Sequence, residues 1–138
     1  MAQSVDHVRL FIRSHHRGVL ATLRRDGRPQ ISPVLVGCDD DGTLIISTRE
    51  RALKTANIRR TGWASVCVFE DAFVGQWVQA EGAATVESLP EAMDNLVRYY
   101  RLLAGEHPNW NEYRDAMQRE RRVLLRIRVD RAGPASAT

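Results

Sequence analysis

Lys54 is the only lysine in this 138-residue chain, and the other nineteen basic side chains are all arginine. A GC-rich genome would by itself favour arginine. Against that background a retained lysine marks a place suited to a compact point charge on a flexible stem. Just upstream, Ser47 and Thr48 end the apolar run "LIIST" and lead into the segment that carries Lys54. Two hydroxyls at a strand exit, the open amides of a helix start and nearby cations together form a cradle for a phosphate. Hydroxyls also begin helices simply as caps, so cradle and cap both stand as readings. A second feature is Pro33, inside a run that otherwise reads as a central strand. Proline cannot donate a ladder hydrogen bond there. Either this is an edge strand or bulge, or the backbone around Ile31, Ser32, Pro33 and Val34 is released from the sheet to face a flat ligand.

Other chemistries lack their signatures. The chain has no GxSxG, no HExxH and no paired-carboxylate motif, and Cys38 and Cys67 belong to no CxxC pair. Both cysteines read as buried small hydrophobes. Adjacent His15 and His16 would point about 100° apart on a helix, which does not suit one metal, so no metal is expected. The net charge is +3, and the pairs Arg24-Arg25, Arg59-Arg60 and Arg121-Arg122 are dispersed. They read as solvated surface rather than a nucleic-acid footprint, while an anionic small ligand stays compatible. No run approaches the roughly twenty apolar residues of a membrane span. The N-terminus lacks the apolar core of a secretory signal, which implies a cytoplasmic protein.

These groups need positioning elements, and the patterning supplies them. The length suits one domain over residues 1–138 that buries roughly two thirds of its unfolded surface. Val5, Val8, Phe11 and Ile12 recur at helical spacing, predicting a helix over 4–16 capped by Ser4. Asp26-Gly27 and the turn Asp39 to Gly42 each separate apolar runs, predicting hairpins. Residues 50–60 read as a short helix with Leu53, Asn57 and Arg60 near one face and Gly62 at its end. "WASVCVFE" and "GQWVQAEGAATVE" follow as strands. Leu89, Met93, Leu96, Val97, Tyr100 and Leu103 form a helical stripe starting at Pro90-Glu91, and a further helix runs from Trp110 to about Glu120. "RVLLRIRVD" is the last strand, and 131–138 reads as a disordered tail. Six strands joined largely by hairpins, with flanking helices, predict a mainly β (α+β) fold: a closed or nearly closed antiparallel barrel.

Five segments, "GVLATLRRDGRPQISPV", "LIISTRERALKTANIRR", "WASVCVF", "VQAEGAATV" and "AGEHPNWNEYRDAMQRERRVLL", carry a resemblance. Together they are similar to the split β-barrel flavin and deazaflavin proteins, the pyridoxamine 5′-phosphate oxidase-like proteins. Within these the last segment resembles the actinobacterial group that uses coenzyme F420. The similarity spans about residues 8 to 129. It implies a six-stranded split barrel of the FMN-binding type. It also implies a cofactor ring lying along the main chain of Ile31 to Val34, and a cofactor phosphate near Ser47, Thr48, Lys54 and Asn57. Relatives place an arginine two residues before the lysine, where this chain has Ala52; Arg51 stands three before it, leaving Arg49 or Arg51 as the second cation. Such barrels are homodimers with two cofactor sites at the subunit interface. Gln76, Trp77 and Gln79 match the segment that walls the partner's ring, although Trp77 also suits plain barrel or interface packing.

The resemblance implies an F420H2-dependent reductase that passes a hydride to a small electron-poor acceptor. No covalent nucleophile is then needed, and a proton would come from solvent or a group such as Tyr113. Arg59 and Arg60 are candidates for the anionic glutamate tail of F420, or solvated surface. One alternative is an FMN-binding oxidase or reductase of the same fold. Another is a non-enzymatic flavin, F420 or haem carrier, with His107 in the "GEHPNW" loop read either as a haem ligand or as a structural or surface residue. Pyridoxamine phosphate oxidase itself is disfavoured, since its C-terminal substrate-binding arginine and tryptophan have no counterpart after Val129.

Overall fold

The Asp26-Gly27 turn does what its sequence suggests. Gly27 takes the positive φ of 84°, the Arg28 amide donates to Asp26 Oδ1, and the chain reverses between β1 (Arg17–Leu23) and β2 (Pro29–Leu35). The computed structural model describes residues 2–133. The remaining elements are α1 (Ala2–Ser14), β3 (Gly37–Cys38), β4 (Leu44–Arg49), α2 (Leu53–Thr61), β5 (Trp63–Phe69), β6 (Trp77–Glu87), α3 (Met93–Ala104), α4 (Trp110–Arg119) and β7 (Arg122–Gly133). All seven strands join one antiparallel sheet in the order β2-β1-β5-β6-β7-β4-β3.

Seven strands replace the expected six because one strand changes partners. β2 pairs with β1 as far as Leu35, and after Val36 the same run pairs with β4 as β3. Val36 is the handover: its amide donates to the His16 carbonyl and its own carbonyl contacts His16 Nδ1. The two edges of the sheet are therefore consecutive in the chain, which curls the sheet around its core. Inside the curl lie Leu20, Val36, Leu44, Ile46, Ile58, Leu125 and Ile127, all at most 1% exposed. α1 adds Val8, Phe11 and Ile12 to this core. On the other face of β4 and β7, Ile45 and Leu124 meet Leu96, Val97, Tyr113 and Met117 from α3 and α4. Covering both faces explains why "LII" and "VLL" are unbroken apolar runs rather than alternating ones.

Several boundaries differ from expectation. α1 starts at Ala2, so Ser4 is not its cap, and it ends at Ser14. α3 begins at Met93, after a turn through Pro90. Leu53 is 65% exposed, because α2 is anchored by Thr55, Asn57 and Ile58 instead. Gly62 caps α2 as expected, donating to the Ile58 carbonyl. Cys38 is buried, but Cys67 is only half-buried, on the outer face of β5. Residues 131–133, expected in the tail, extend β7 and pair with Gln79, Ala80 and Glu81. The rest of that tail, 134–138, lies outside the described residues. Among the described residues no helix is long and apolar enough to cross a membrane, and no group of three or more His, Cys, Asp or Glu is placed to hold a metal ion.

Candidate functional site

Pro33, the second of the two sequence features, is an edge-strand proline: Ile31 to Val34 stay paired with β1 and are not released from the sheet. β2 is an edge strand, which tolerates the missing donor, and Pro33, Val34 and Leu35 line a cavity of about 870 Å³. The cavity lies on the outer side of the sheet: Val19, opposite Pro33, lines it while Leu20 faces the core. Ser47 and Thr48 at the end of β4 and Lys54 in the first turn of α2 form a second wall, and Tyr99, Tyr100, Tyr113 and Met117 from α3 and α4 form a third. Arg17, Gly18, Phe69 and Arg122 complete the lining, which contains no carboxylate.

The register of β4 on β7 builds the charge at one end. Arg49 sits directly opposite Arg122, an arrangement that is unfavourable unless something intervenes. Glu120 intervenes, accepting from Arg122 Nε at 2.9 Å and lying 3.6 Å from Arg49. Lys54 adds a third cation, its ammonium donating to Ser32 Oγ at 2.9 Å. Burial, and then the Arg122 charge, hold the Lys54 pKa below the ordinary 10.5. At the start of α2 the capping residue is Ala52, which offers no side-chain acceptor, and the first turn contains no acidic residue. Helix-start amides without a cap, two hydroxyls and a surplus of positive charge suit a phosphate. The flat apolar edge of β2 beside them suits a ring.

The aromatic wall is held in place by its hydroxyls. Tyr99 donates to the Leu35 carbonyl at 2.8 Å and Tyr113 to the Leu96 carbonyl at 2.7 Å. Burial pushes both phenols up to about 12. Tyr113 is thus neutral and committed to the main chain, which argues against it as a proton source. His107 packs among Tyr100, Trp110 and Tyr113 with ring centroids 5.0 to 5.7 Å apart, and its Nδ1 accepts from the Asn109 amide. That is a packing role.

Of the residues singled out from sequence, Ser32, Pro33, Val34, Ser47, Thr48 and Lys54 converge here. Ile31 is 59% exposed on the same strand, pointing outward beside the cavity. Arg51 lines an adjoining cleft with Thr48, Arg49, Ala52, Lys54 and Arg122. Asn57 is not in the cavity: it is buried, donating to Thr22 Oγ1 at 3.1 Å and accepting from Arg60. Gln76, Trp77 and Gln79 also stand away from this chain's cavity, exposed on the outer face around β6. Arg59 is engaged by Glu50 and Ser88, and Arg60 by Asn57 and the Leu23 carbonyl. Neither lines the cavity or the cleft that adjoins it. Arg122, Arg17, Tyr99 and Phe69 were not singled out from sequence, because only strand register and helix docking bring them here.

A profile of the family described as pyridoxamine 5′-phosphate oxidase matches residues 4–134. Among solved structures, the conserved hypothetical protein Rv2991 from Mycobacterium tuberculosis is 23% identical with a TM-score of 0.74, covering 96% of this chain and 90% of that one. A protein titled F420 reductase is 18% identical with a TM-score of 0.66, covering 86% of this chain and 89% of the other. A pyridoxamine 5′-phosphate oxidase-related, FMN-binding protein from Nostoc punctiforme is 18% identical with a TM-score of 0.61, covering 95% and 79%. At these identities the structural likenesses speak to the fold alone. The profile match, spanning nearly the whole chain and its cavity-lining strands, is what decides membership: the chain belongs to the pyridoxamine 5′-phosphate oxidase family.

Proposed function

We propose that the protein is an F420H2-dependent reductase acting on a small electron-poor acceptor. The observation that carries this reading is the continuation of the cavity past its phosphate cradle. Thr48, Lys54 and Arg122 are shared with a second cleft of about 460 Å³ whose other walls are Arg49, Arg51 and Ala52. FMN ends at its phosphate and leaves this cleft without a role. F420 extends beyond its phosphate into a lactyl and oligoglutamate tail that such a cleft suits. FMN in the same cavity is the second reading, favoured by the same cradle.

When bound and reduced, F420 supplies a hydride. The chain's own part is binding and enclosure: Lys54, Arg122 and the α2 amides hold the phosphate, Pro33 and Val34 support the ring, and the tyrosine wall excludes water. The working unit in this proposal is a homodimer. Across the outer face the register runs from Pro33 through Val19 and Cys67 to Gln79, and Ile31, Phe73, Val74 and Trp77 are exposed around it. Covering this face with a second copy would bury them, and would bring Gln76, Trp77 and Gln79 toward the partner's ring.

The test is a variant with Arg49→Ala and Arg51→Ala together. Both side chains are exposed, so F420 affinity is expected to fall roughly tenfold, with a reduced salt dependence, while FMN affinity holds. Anaerobic mixing of wild-type protein with reduced F420 and a panel of enones and quinones then reads the activity. Equal effects of the double variant on both cofactors would favour the FMN reading.

A further inference from the structure

The cavity has a second cationic end that the cofactor cradle does not use. Arg17 opens β1 opposite Leu35, three β2 residues from Ser32, where Lys54 is tied. At the rise of a strand this separates the two register positions by roughly 10 Å. Between them lie Pro33, Val34 and the tyrosine wall. Beyond Arg17 and Leu35 a further cleft of about 290 Å³ opens, lined also by Ser14, His15, His16 and Asp71. The apolar chamber is thus flanked by two clefts, one reached past Lys54 and Arg122, the other past Arg17.

Arg17 is available to a ligand. Among the described residues its one carboxylate partner is Asp71, 4.0 Å away, with the two side chains 67% and 90% exposed. An ion pair of that kind contributes little and exchanges readily. The chamber lining has no carboxylate, so a cationic molecule would find no partner there and an anionic one would find Arg17. A guanidinium matches a carboxylate through two parallel hydrogen bonds.

Resting on the reading of the cradle as the cofactor site, we propose that Arg17 is the acceptor-side anchor and that the acceptor is a planar conjugated molecule bearing a carboxylate. It enters by the cleft at Arg17, lies against the tyrosine wall, and places its carboxylate on the guanidinium. Arg17 then sets specificity for the acceptor without contributing to cofactor affinity.

Two probes of the same shape test this by calorimetry, 2-naphthoate and neutral 2-naphthamide, each titrated into the full chain with and without saturating oxidised F420. Naphthoate is expected to bind more tightly by roughly 3- to 10-fold, the scale of a two-pronged ion pair on a largely exposed guanidinium. Arg17→Ala should erase that preference, Arg17→Lys should restore part of it, and neither should change the F420 dissociation constant. In the free protein, loss of the preference in Arg17→Ala but not in Lys54→Ala places the carboxylate at Arg17 even if F420 does not bind. That outcome would sink the cofactor reading while leaving the anchor standing. A preference that survives Arg17→Ala, or a loss of F420 affinity in that variant, overturns the proposal.

Discussion

Lys54→Ala weakens binding of the phosphate-bearing cofactor by about 1.5 to 3 kcal/mol, the range for losing a hydrogen bond to a charged group. The ammonium is already oriented, donating to Ser32 Oγ beside Thr48 and Arg122, so little reorganisation opposes its contact with an anion. Lys54→Arg recovers only part of the loss, because a planar fork does not reproduce a compact point charge. The loss is separable from folding. In the free protein the Lys54 pKa lies below 10.5, through burial first and the Arg122 charge second. A depressed lysine pKa means the unfolded chain binds the proton more tightly, so the charged form costs stability below the folded pKa and that cost is relieved as pH rises. Removing the ammonium should therefore not lower the melting temperature at neutral pH. Binding has the opposite dependence. It needs the protonated form, so affinity falls as pH rises through the lowered pKa, and this fall disappears in Lys54→Arg. Isothermal titration at several pH values reads both effects, and unchanged affinity in Lys54→Ala would place the cradle elsewhere.

Gly82→Ala costs about 3 kcal/mol of stability, the upper part of the range for overpacking, and lowers the melting temperature by roughly 10 °C. The register of β6 on β7 shifts between Glu81 and Gly82, and the two backbones close in at this irregularity. A Cβ on Gly82 would overlap the Arg128 carbonyl oxygen and lie 3.0 Å from the Asp130 nitrogen. These are main-chain atoms of a paired strand, so they cannot swing away as a side-chain end would. Gly27 is the control: unlike Gly82 it has a positive φ, 84°, in a turn, but a Cβ there meets nothing within 4 Å. Gly27→Ala should cost only about 1 kcal/mol, from backbone conformation alone. Thermal unfolding of the two variants separates close approach from turn geometry, and equal melting temperatures would refute the distinction.

Local signals were legible in sequence and long-range register was not. The Asp26-Gly27 hairpin, the Gly62 cap and the α4 start at Trp110 rest on residues adjacent to one another, so they could be read directly. The division of one strand into β2 and β3 could not, because it depends on His16 meeting Val36 and on which neighbour each half finds. The same limit applied to the site. Ser47, Thr48 and Lys54 are close in sequence and emerged together. Arg122 lies far along the chain and reaches them only because β7 sets it opposite Arg49, and on its own it was indistinguishable from solvated surface. The resemblance implies Asn57 near the phosphate with Lys54, but α2 turns it inward to Thr22. Leu53 reads as a core residue by type, yet the burial of Thr55 and Ile58 leaves it outside.

The central claim is that the cavity between β2, α2 and the tyrosine wall holds a phosphate-bearing deazaflavin, with the arginine cleft receiving its tail. Titrating wild-type protein with F420 and with FMN under matched salt tests it most directly. Micromolar or tighter F420 binding, stronger than FMN and weakened by Lys54→Ala, is the result predicted. Micromolar FMN binding with no F420 binding would contradict it.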